Sequence, residues 1–324
     1  MADVIVDVEC VDALTRPVDV LVLKHAQGLY GVDRAAVQAL AIGPQLLPPV
    51  GEHLLVLGRP ALAAGSVIFL GTRSIEKFTY ADVREFGRRA LSVAQRERPD
   101  AREVALTLHG VGFGLDETEA FDAEVAGVLD AVAAAEFPRG LEKIAFLERG
   151  ERRAERLRTA LGRLVPGGRI AAAGARVDAR TTEHLRTVGF ESDKGGHAFV
   201  AMPFDFAFED VFYFGISGPI RDSGLLCERM DKQAFTGDVV GRMRQRINDA
   251  KFVVADMTGA NPNVYLEVGY AWGRDVPTIL LCQQTSELAF DVKGHRCLMY
   301  SSIRELERKL RDEIGLLLAQ PRHP

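Results

Sequence analysis

Nothing in this chain has the spacing of a metal site. The four cysteines, Cys10, Cys227, Cys282 and Cys297, stand far apart or alone, with no pair at the short spacing that zinc ligands use. The seven histidines form no HxxxH or HxH pair, so no metal is expected. Cys282 lies in an apolar run, and the thiols as a set suit reduced, mostly buried side chains in a cytosolic protein. No apolar run approaches the roughly 18 residues of a membrane helix. Residues 1–10 alternate like a strand instead of forming a secretory leader. Neither a membrane nor export is expected.

An excess of positive charge is missing too. The formal net charge of −5 argues against general polyanion binding. The one basic stretch, 149–163, is interrupted by Glu151 and Glu155 and carries Leu157, Leu161 and Leu164 as an apolar stripe. That is an amphipathic helix with a solvated face, so nucleic acid is not an expected partner. No short-period repeat is visible. What the chain does have is a globular balance, 47% hydrophobic and 26% charged over 324 residues, which is more than one ordinary core uses and points to two domains.

Strand-like runs at 4–8 and 18–23 lead through a turn with Gly28 and Gly31 to a helical run at 33–40. Further strands are predicted at 53–57, 66–70, 103–108 and 143–147, with helices at 80–96, 119–135 and 152–164. This alternation predicts an α/β sandwich over 1–165. Pro166-Gly167-Gly168 and Lys194-Gly195-Gly196 bracket a linker or bridging segment, 166–196, with one short helix at 181–188. Beyond it, strands at 197–204, 225–230, 252–255, 277–282 and 296–300 alternate with helices at 208–222, 238–249, 261–273 and 303–318. That succession predicts a flavodoxin-like, doubly wound, parallel five-stranded sheet over 197–324.

In such a sheet the loops after adjacent strands face one crevice. The first loop carries Met202, Pro203, Phe204 and Asp205. The second carries Asp231, with Asp238 opening the next helix. The third carries Asp256, Thr258, Gly259, Asn261 and Asn263. Asn261 is placed to cap a helix that takes Pro262 in its first turn. Glu267 lies about one turn further in, on the face it shares with Asn263. Val264, Val268 and Ala271 form the neighbouring apolar face, and Gly269 and Gly273 suit close approach of the sheet or a ligand.

A carboxylate near a helix amino end is favoured as the anion. An anionic Glu attacks or stabilises an anomeric carbon with oxocarbenium character. Nicotinamide leaves NAD without needing a proton, whereas a neutral nucleobase needs an acid such as Asp231 or Asp256. A Glu early in a helix behind an Asn-Pro cap is also common for structural reasons alone. Convergence on one crevice is what singles out Glu267, Asp256 and Asn261 as catalytic candidates, with the other loop residues as substrate-binding ones.

Phe199-Val-Ala-Met-Pro-Phe204, Gly237-Asp238, Ala255-Asp-Met-Thr-Gly-Ala-Asn-Pro-Asn-Val264 and Leu266-Glu-Val-Gly-Tyr-Ala271, with Pro277 beyond, resemble nucleoside 2-deoxyribosyltransferase-like domains and their TIR-like relatives. The resemblance covers about a quarter of the chain. It implies that Glu267 corresponds to the family nucleophile. Asn261 stands where the transferases carry a sugar-orienting Asp, a departure that shifts the expectation from deoxyribosyl transfer to N-glycosidic cleavage. TIR relatives use a similarly placed Glu to hydrolyse or cyclise NAD.

In the first half, 106–115 runs from a strand into a loop with Gly110, Gly112 and Gly114, where backbone N–H groups can approach a diphosphate at a helix start. Tight strand–helix turns use glycine in the same way. Together with 18–23, Gly31-Val32-Asp33 and 143–147, in this order, the loop resembles macro domains and the macro-like amino-terminal domain of leucine aminopeptidases. The resemblance implies that ADP-ribose or a related nucleotide lies between two loops, against Gly31, Val32, Asp33, Gly110, Val111, Gly112, Phe113 and Gly114. Lys24-His25-Ala26-Gln27 replaces the usual Asn-rich segment, and the aminopeptidases' catalytic metal domain has no counterpart.

The expectation is a cytosolic protein whose macro-like nucleotide sensor regulates cleavage of the N-glycosidic bond of NAD or a related nucleotide. NAD enters as substrate and no cofactor is implied. By analogy of architecture the role is antiviral defence, with self-association into homo-oligomers. Two alternatives stand beside it: a nucleoside or nucleotide glycosidase or 2-deoxyribosyltransferase in salvage, and a non-enzymatic nucleotide-binding scaffold.

Overall fold

A computed structural model describes residues 3–57, 60, 62–170, 177–203, 205–230, 239–284 and 294–319. The chain divides into two compact units, Met1–Val111 with Glu117–Lys194, and Gly112–Asp116 with Gly195–Pro324.

The first unit is built on strands β1 (Val4–Cys10), β2 (Val18–His25), β3 (His53–Leu57), β4 (Ala64–Gly71), β5 (Glu103–Leu106), β6 (Lys143–Glu148) and β7 (Arg169–Ile170). They lie in the order β3-β4-β2-β5-β6-β1-β7. The five central strands run parallel, and the edges β3 and β7 are antiparallel to their neighbours. The helices are α1 (Gly31–Ala39), α2 (Tyr80–Glu97), α3 (Glu117–Ala133), α4 (Glu151–Leu164) and α5 (Ala179–Thr187). Strand side chains alternate between faces. Val20, Val22, Val104, Leu106, Ile144 and Phe146 meet α2, α3 and α4 on one side. Leu21, Leu23, Ala105 and Ala145 meet Ala36, Val37 and Leu40 on the other.

Two features fix this packing. Thr79 and Asp82 form a reciprocal capping box at the start of α2, satisfying amides that would otherwise lack partners. Where α2 crosses α3, Gly87 and Gly127 let the backbones meet, since a β-carbon on Gly127 would lie 1.9 Å from the Arg84 carbonyl oxygen. The segment 177–194 packs within this first unit. Asp178 caps α5 by accepting from Arg180 N and Thr181 N at 2.9 and 3.0 Å. His184 pairs with Asp122 at 2.8 Å. Buried Arg84 donates to the carbonyls of Leu185 and Val188 at 2.8 and 2.6 Å while pairing with Asp130.

The second unit has strands β8 (His197–Ala201), β9 (Leu226–Arg229), β10 (Phe252–Asp256), β11 (Thr278–Gln283) and β12 (Cys297–Tyr300), all parallel, in the order β12-β11-β10-β8-β9. Counted within the unit this is 2-1-3-4-5 read from the other edge, the flavodoxin-like arrangement. Its helices are α6 (Gly218–Asp222), α7 (Val239–Asp249), α8 (Pro262–Gly273) and α9 (Ile303–Ala319). A π-helical turn, α6 and α9 cover the face that carries Val200, Val254 and Leu281. Helices α7 and α8 cover the face that carries Ala201, Val253 and Ala255. The fold is therefore α/β throughout, a mixed seven-stranded sheet with helices on both faces in the first unit and a flavodoxin-like parallel five-stranded sheet in the second.

Several local expectations are corrected. The single helix at 208–222 is a short turn at Phe206–Phe208, a π-helical stretch at Val211–Ser217 and the short α6. Pro219 has no N–H to continue an α ladder, and Gly215 packs tightly on Leu306 of α9. The first strand of this unit ends at Ala201 instead of running to 204, and β5 stops at Leu106. The two-residue β7 carries too little pattern to be seen in sequence. Gly269 and Gly273 are exposed with open space where a β-carbon would sit, so no close approach of the sheet explains them.

Candidate functional site

Chain direction sets a switch point in the second unit. Leaving β8, the chain turns to the π-helical side; leaving β10, its neighbour in the sheet, it turns to the α8 side. At such a switch point the two connections diverge and open a crevice beyond the carboxyl ends of the strands. Met202 and Pro203, both buried, leave β8 there. Asp205 is exposed and accepts from Ala207 N at 2.9 Å, capping the next turn. Phe204, Asp231 and Asp238 lie outside the described residues.

From β10, Asp256 leads into Thr258, Gly259 and Ala260. The last two have φ of +77° and +50°, a conformation that costs glycine little and alanine more. Asn261 then caps α8 by accepting from Asn263 N at 2.9 Å, with Pro262 in the first turn. Asn263 is exposed. Glu267, on the same helix, is only 4% exposed and shares the buried side of α8 with Val264, Val268 and Ala271.

Asp256 is placed differently from Glu267. Its side chain follows Phe252 and Val254 onto the α9 side of the sheet, opposite α8, and is fully buried. One oxygen accepts from Thr258 N at 3.0 Å and the other from the Tyr300 hydroxyl at 2.7 Å. Burial raises its pKa, opposed by the hydrogen bonds from Thr258 and Tyr300. Tyr300 is itself raised by burial and by the nearby Asp256 charge. Gln283 N donates to Thr258 Oγ1 at 3.0 Å, tying the loop to the end of β11. Tyr300 was not singled out from sequence; its contact spans 44 residues and no local pattern announces it.

The first unit has a switch point of its own. The adjacent parallel strands β2 and β5 lead to α1 on one face and α3 on the other. Gly31 opens α1 with φ of +45° and is exposed, and Val32 is half-buried. Asp33 is buried and ion-paired with buried Lys24, while its second oxygen makes no hydrogen bond of normal geometry. Burial raises its pKa and the Lys24 charge opposes this. The segment that replaces the Asn-rich one is used internally. Beyond Lys24, His25 Nδ1 meets Pro48 O at 2.9 Å, Ala26 is buried, and Gln27 donates to Thr72 O at 3.0 Å.

The glycine loop is divided between the units. Gly110, with φ of +85°, and Val111 belong to the first. Gly112, Phe113 and Gly114 belong to the second, where Gly112 and Phe113 bridge Met230 and Gly114 O accepts from Arg246 at 3.2 Å. Asp116 then accepts from Cys227 N at 3.1 Å, so this stretch dresses the edge strand β9.

Close to β5, sequence reasoning missed a buried acid. Glu124 of α3 is fully buried, and neither oxygen makes a hydrogen bond of normal geometry. Burial holds its pKa well above 4.5, with Arg153 and Lys24 opposing. Neighbouring His109, stacked edge-on to Phe86 at 4.6 Å, is driven well below 6.5 by burial and by Lys24. The signal was present: Glu124 falls in the buried stripe of α3, between Phe121 and Val128. An acid whose folded pKa is raised leaves stability intact below its unfolded value and loses it as pH rises toward the folded value. Glu124→Gln therefore gains stability relative to the parent as pH rises above 4.5. Urea midpoints of both proteins at acid and alkaline pH check this, and a constant difference would refute it.

Among the described residues no group of His, Cys, Asp and Glu could hold a metal ion, and no helix is long and apolar enough to cross a membrane. No family model and no curated protein matches the chain. Solved structures do. A Trypanosoma brucei macrodomain in complex with ADP aligns at 20% identity over 48% of this chain and 68% of that one, with a TM-score of 0.38. An Oceanobacillus iheyensis macrodomain mutant with ADPR aligns at 17% identity over 48% and 90%, with a TM-score of 0.36. The bottromycin maturation enzyme BotP aligns at 14% identity over 91% and 89%, with a TM-score of 0.28.

Proposed function

We propose that the second unit cleaves the N-glycosidic bond of NAD or a related nucleotide, with Glu267 as nucleophile, and that the first unit binds a nucleotide that regulates it. The observation that carries this reading is Glu267 itself, a buried carboxyl one turn inside a capped helix beside the crevice of a doubly wound sheet. Thr258, Gly259 and Asn261 form the turn from β10 into α8, Asn263 lies in its first turn, and Met202 and Pro203 follow the end of β8. Asp256, sealed by Thr258 and Tyr300, is not offered to a leaving group. That favours a nicotinamide, which departs without a proton, over a neutral nucleobase.

In the first unit the ligand position is the switch point at β2 and β5, with Gly31, Val32, Gly110 and Val111 at its edges. A defence role, with activation through self-association, follows by analogy of architecture alone. The sealed Asp256, which leaves a neutral nucleobase without its acid, also fits a second reading, a non-enzymatic nucleotide-binding scaffold.

The test is to incubate the full-length protein with NAD and a panel of nucleosides, with and without ADP-ribose and cyclic nucleotides, and to separate products by chromatography. Nicotinamide release supports the proposal. Turnover of free nucleosides without an activator supports salvage, and binding with no product under any condition supports the scaffold. Calorimetry with ADP-ribose on the full chain tests the first unit, and an absence of heat with every nucleotide removes the sensor.

A further inference from the structure

We infer that Tyr300 is a positioning residue of the second unit's crevice: through Asp256 it fixes the turn that starts α8, and with it the placement of Glu267. This deepens the reading of Glu267 as the reacting carboxylate and rests on it. Tyr300 ends the edge strand β12, and Asp256 ends β10, with β11 between them. The tyrosine ring therefore reaches past a whole strand to place its hydroxyl 2.7 Å from Asp256 Oδ2.

From there a continuous set of bonds defines the turn. Thr258 N donates to Asp256 Oδ1, and Met257 N donates to Leu281 O at 2.8 Å. Gln283 N donates to Thr258 Oγ1, and Gln284 N donates to Tyr300 O at 2.9 Å. The next residues are Gly259 and Ala260, both left-handed, and then the Asn261 cap. A left-handed alanine persists only where its surroundings over-determine it. The Asp256 carboxyl is the fixed point from which that strained turn starts. Being fully buried, it acts through the turn and does not touch substrate. Asn at 256 keeps one oxygen to accept from Thr258 N, and its amide N–H can donate to the Tyr300 oxygen, so the turn is expected to hold in that variant.

The experiment uses the full-length parent, Tyr300→Phe, Asp256→Asn and Asp256→Ala. The kcat and KM for NAD are measured across pH, and amide exchange is followed at Thr258 and Gln283. Tyr300→Phe is expected to lower kcat roughly 10- to 100-fold, the scale of a misplaced reacting group, with little change in KM. Asp256→Asn rescues, holding kcat close to the parent at every pH, while Asp256→Ala loses as much as Tyr300→Phe. Exchange at both amides accelerates in Tyr300→Phe. The inference is overturned if exchange is unchanged, if Tyr300→Phe keeps full kcat, or if Asp256→Asn loses as much as Asp256→Ala, since the charge itself would then act. If the parent cleaves no NAD, accelerated exchange in Tyr300→Phe still supports the fixed turn, and the failure falls on the catalytic reading alone.

Discussion

Replacing Glu267 with Gln is expected to lower nicotinamide release from NAD by roughly 10³-fold or more, the scale seen when a covalent nucleophile is removed. Gln keeps the shape and the hydrogen-bonding reach of Glu but cannot attack an anomeric carbon. Because Glu267 is buried on α8 beside Val264 and Val268, the fold is expected to persist, and circular dichroism and the melting temperature should match the parent. The loss then belongs to kcat, not to unfolding. Glu267→Asp keeps the charge but shortens the side chain and should fall between the two. A Glu267→Gln protein that turns over NAD at the parental rate would remove the nucleophile assignment.

The largest structural effect is expected at Gly127. A β-carbon there would lie 1.9 Å from the Arg84 carbonyl oxygen and 2.9 Å from Arg88 N, and one on Gly87 would lie 2.3 Å from the Glu124 carbonyl oxygen. These are backbone atoms, so no side chain can swing aside. The helices must separate, and the packing of Phe86, Leu91, Phe121 and Val125 between them and the sheet opens. Gly127→Ala should cost about 3 kcal/mol or more, at or beyond the upper end for overpacking. Over a unit of this size that lowers the melting temperature by roughly 6–12 °C. Gly162→Ala gives the opposite sign. It sits in α4, exposed and with open space around the new carbon, and helix propensity alone should add about 0.5–1 kcal/mol. Denaturant midpoints of the two variants decide the matter. Equal effects would mean that α2 and α3 do not cross in backbone contact.

Local chemistry was legible in the sequence wherever it was local in fact. Asn261-Pro262 marks a helix start in any context, and Val264, Val268 and Ala271 turn the expected side of α8 to the sheet. The basic stretch at 149–163 folds as the amphipathic α4, with Leu157, Leu161 and Leu164 buried. What failed to show depends on distant partners. Tyr300 looks like an ordinary edge-strand residue until β11 places it beside Asp256. Asp256 ends its strand, as its position suggested, but alternation sends it to the α9 side, away from the helix of Glu267. Glycines carry the same ambiguity. Gly110, Gly112 and Gly114 are all left-handed, which a tight strand–helix turn and a ligand-binding loop require alike. The break in the 208–222 helix combines a local signal, Pro219, with a distant one, the packing of Gly215 on α9.

The central claim is that Glu267 bonds to the sugar carbon as the base departs, and trapping that bond tests it most directly. The full-length protein is quenched in acid during NAD turnover, digested, and its peptides mapped by mass spectrometry. The account predicts an ADP-ribosyl ester on Glu267, within the peptide that carries Asn261 and Asn263, and none in Glu267→Gln. Nicotinamide release with the adduct on another residue, or the same release from Glu267→Gln, would contradict it.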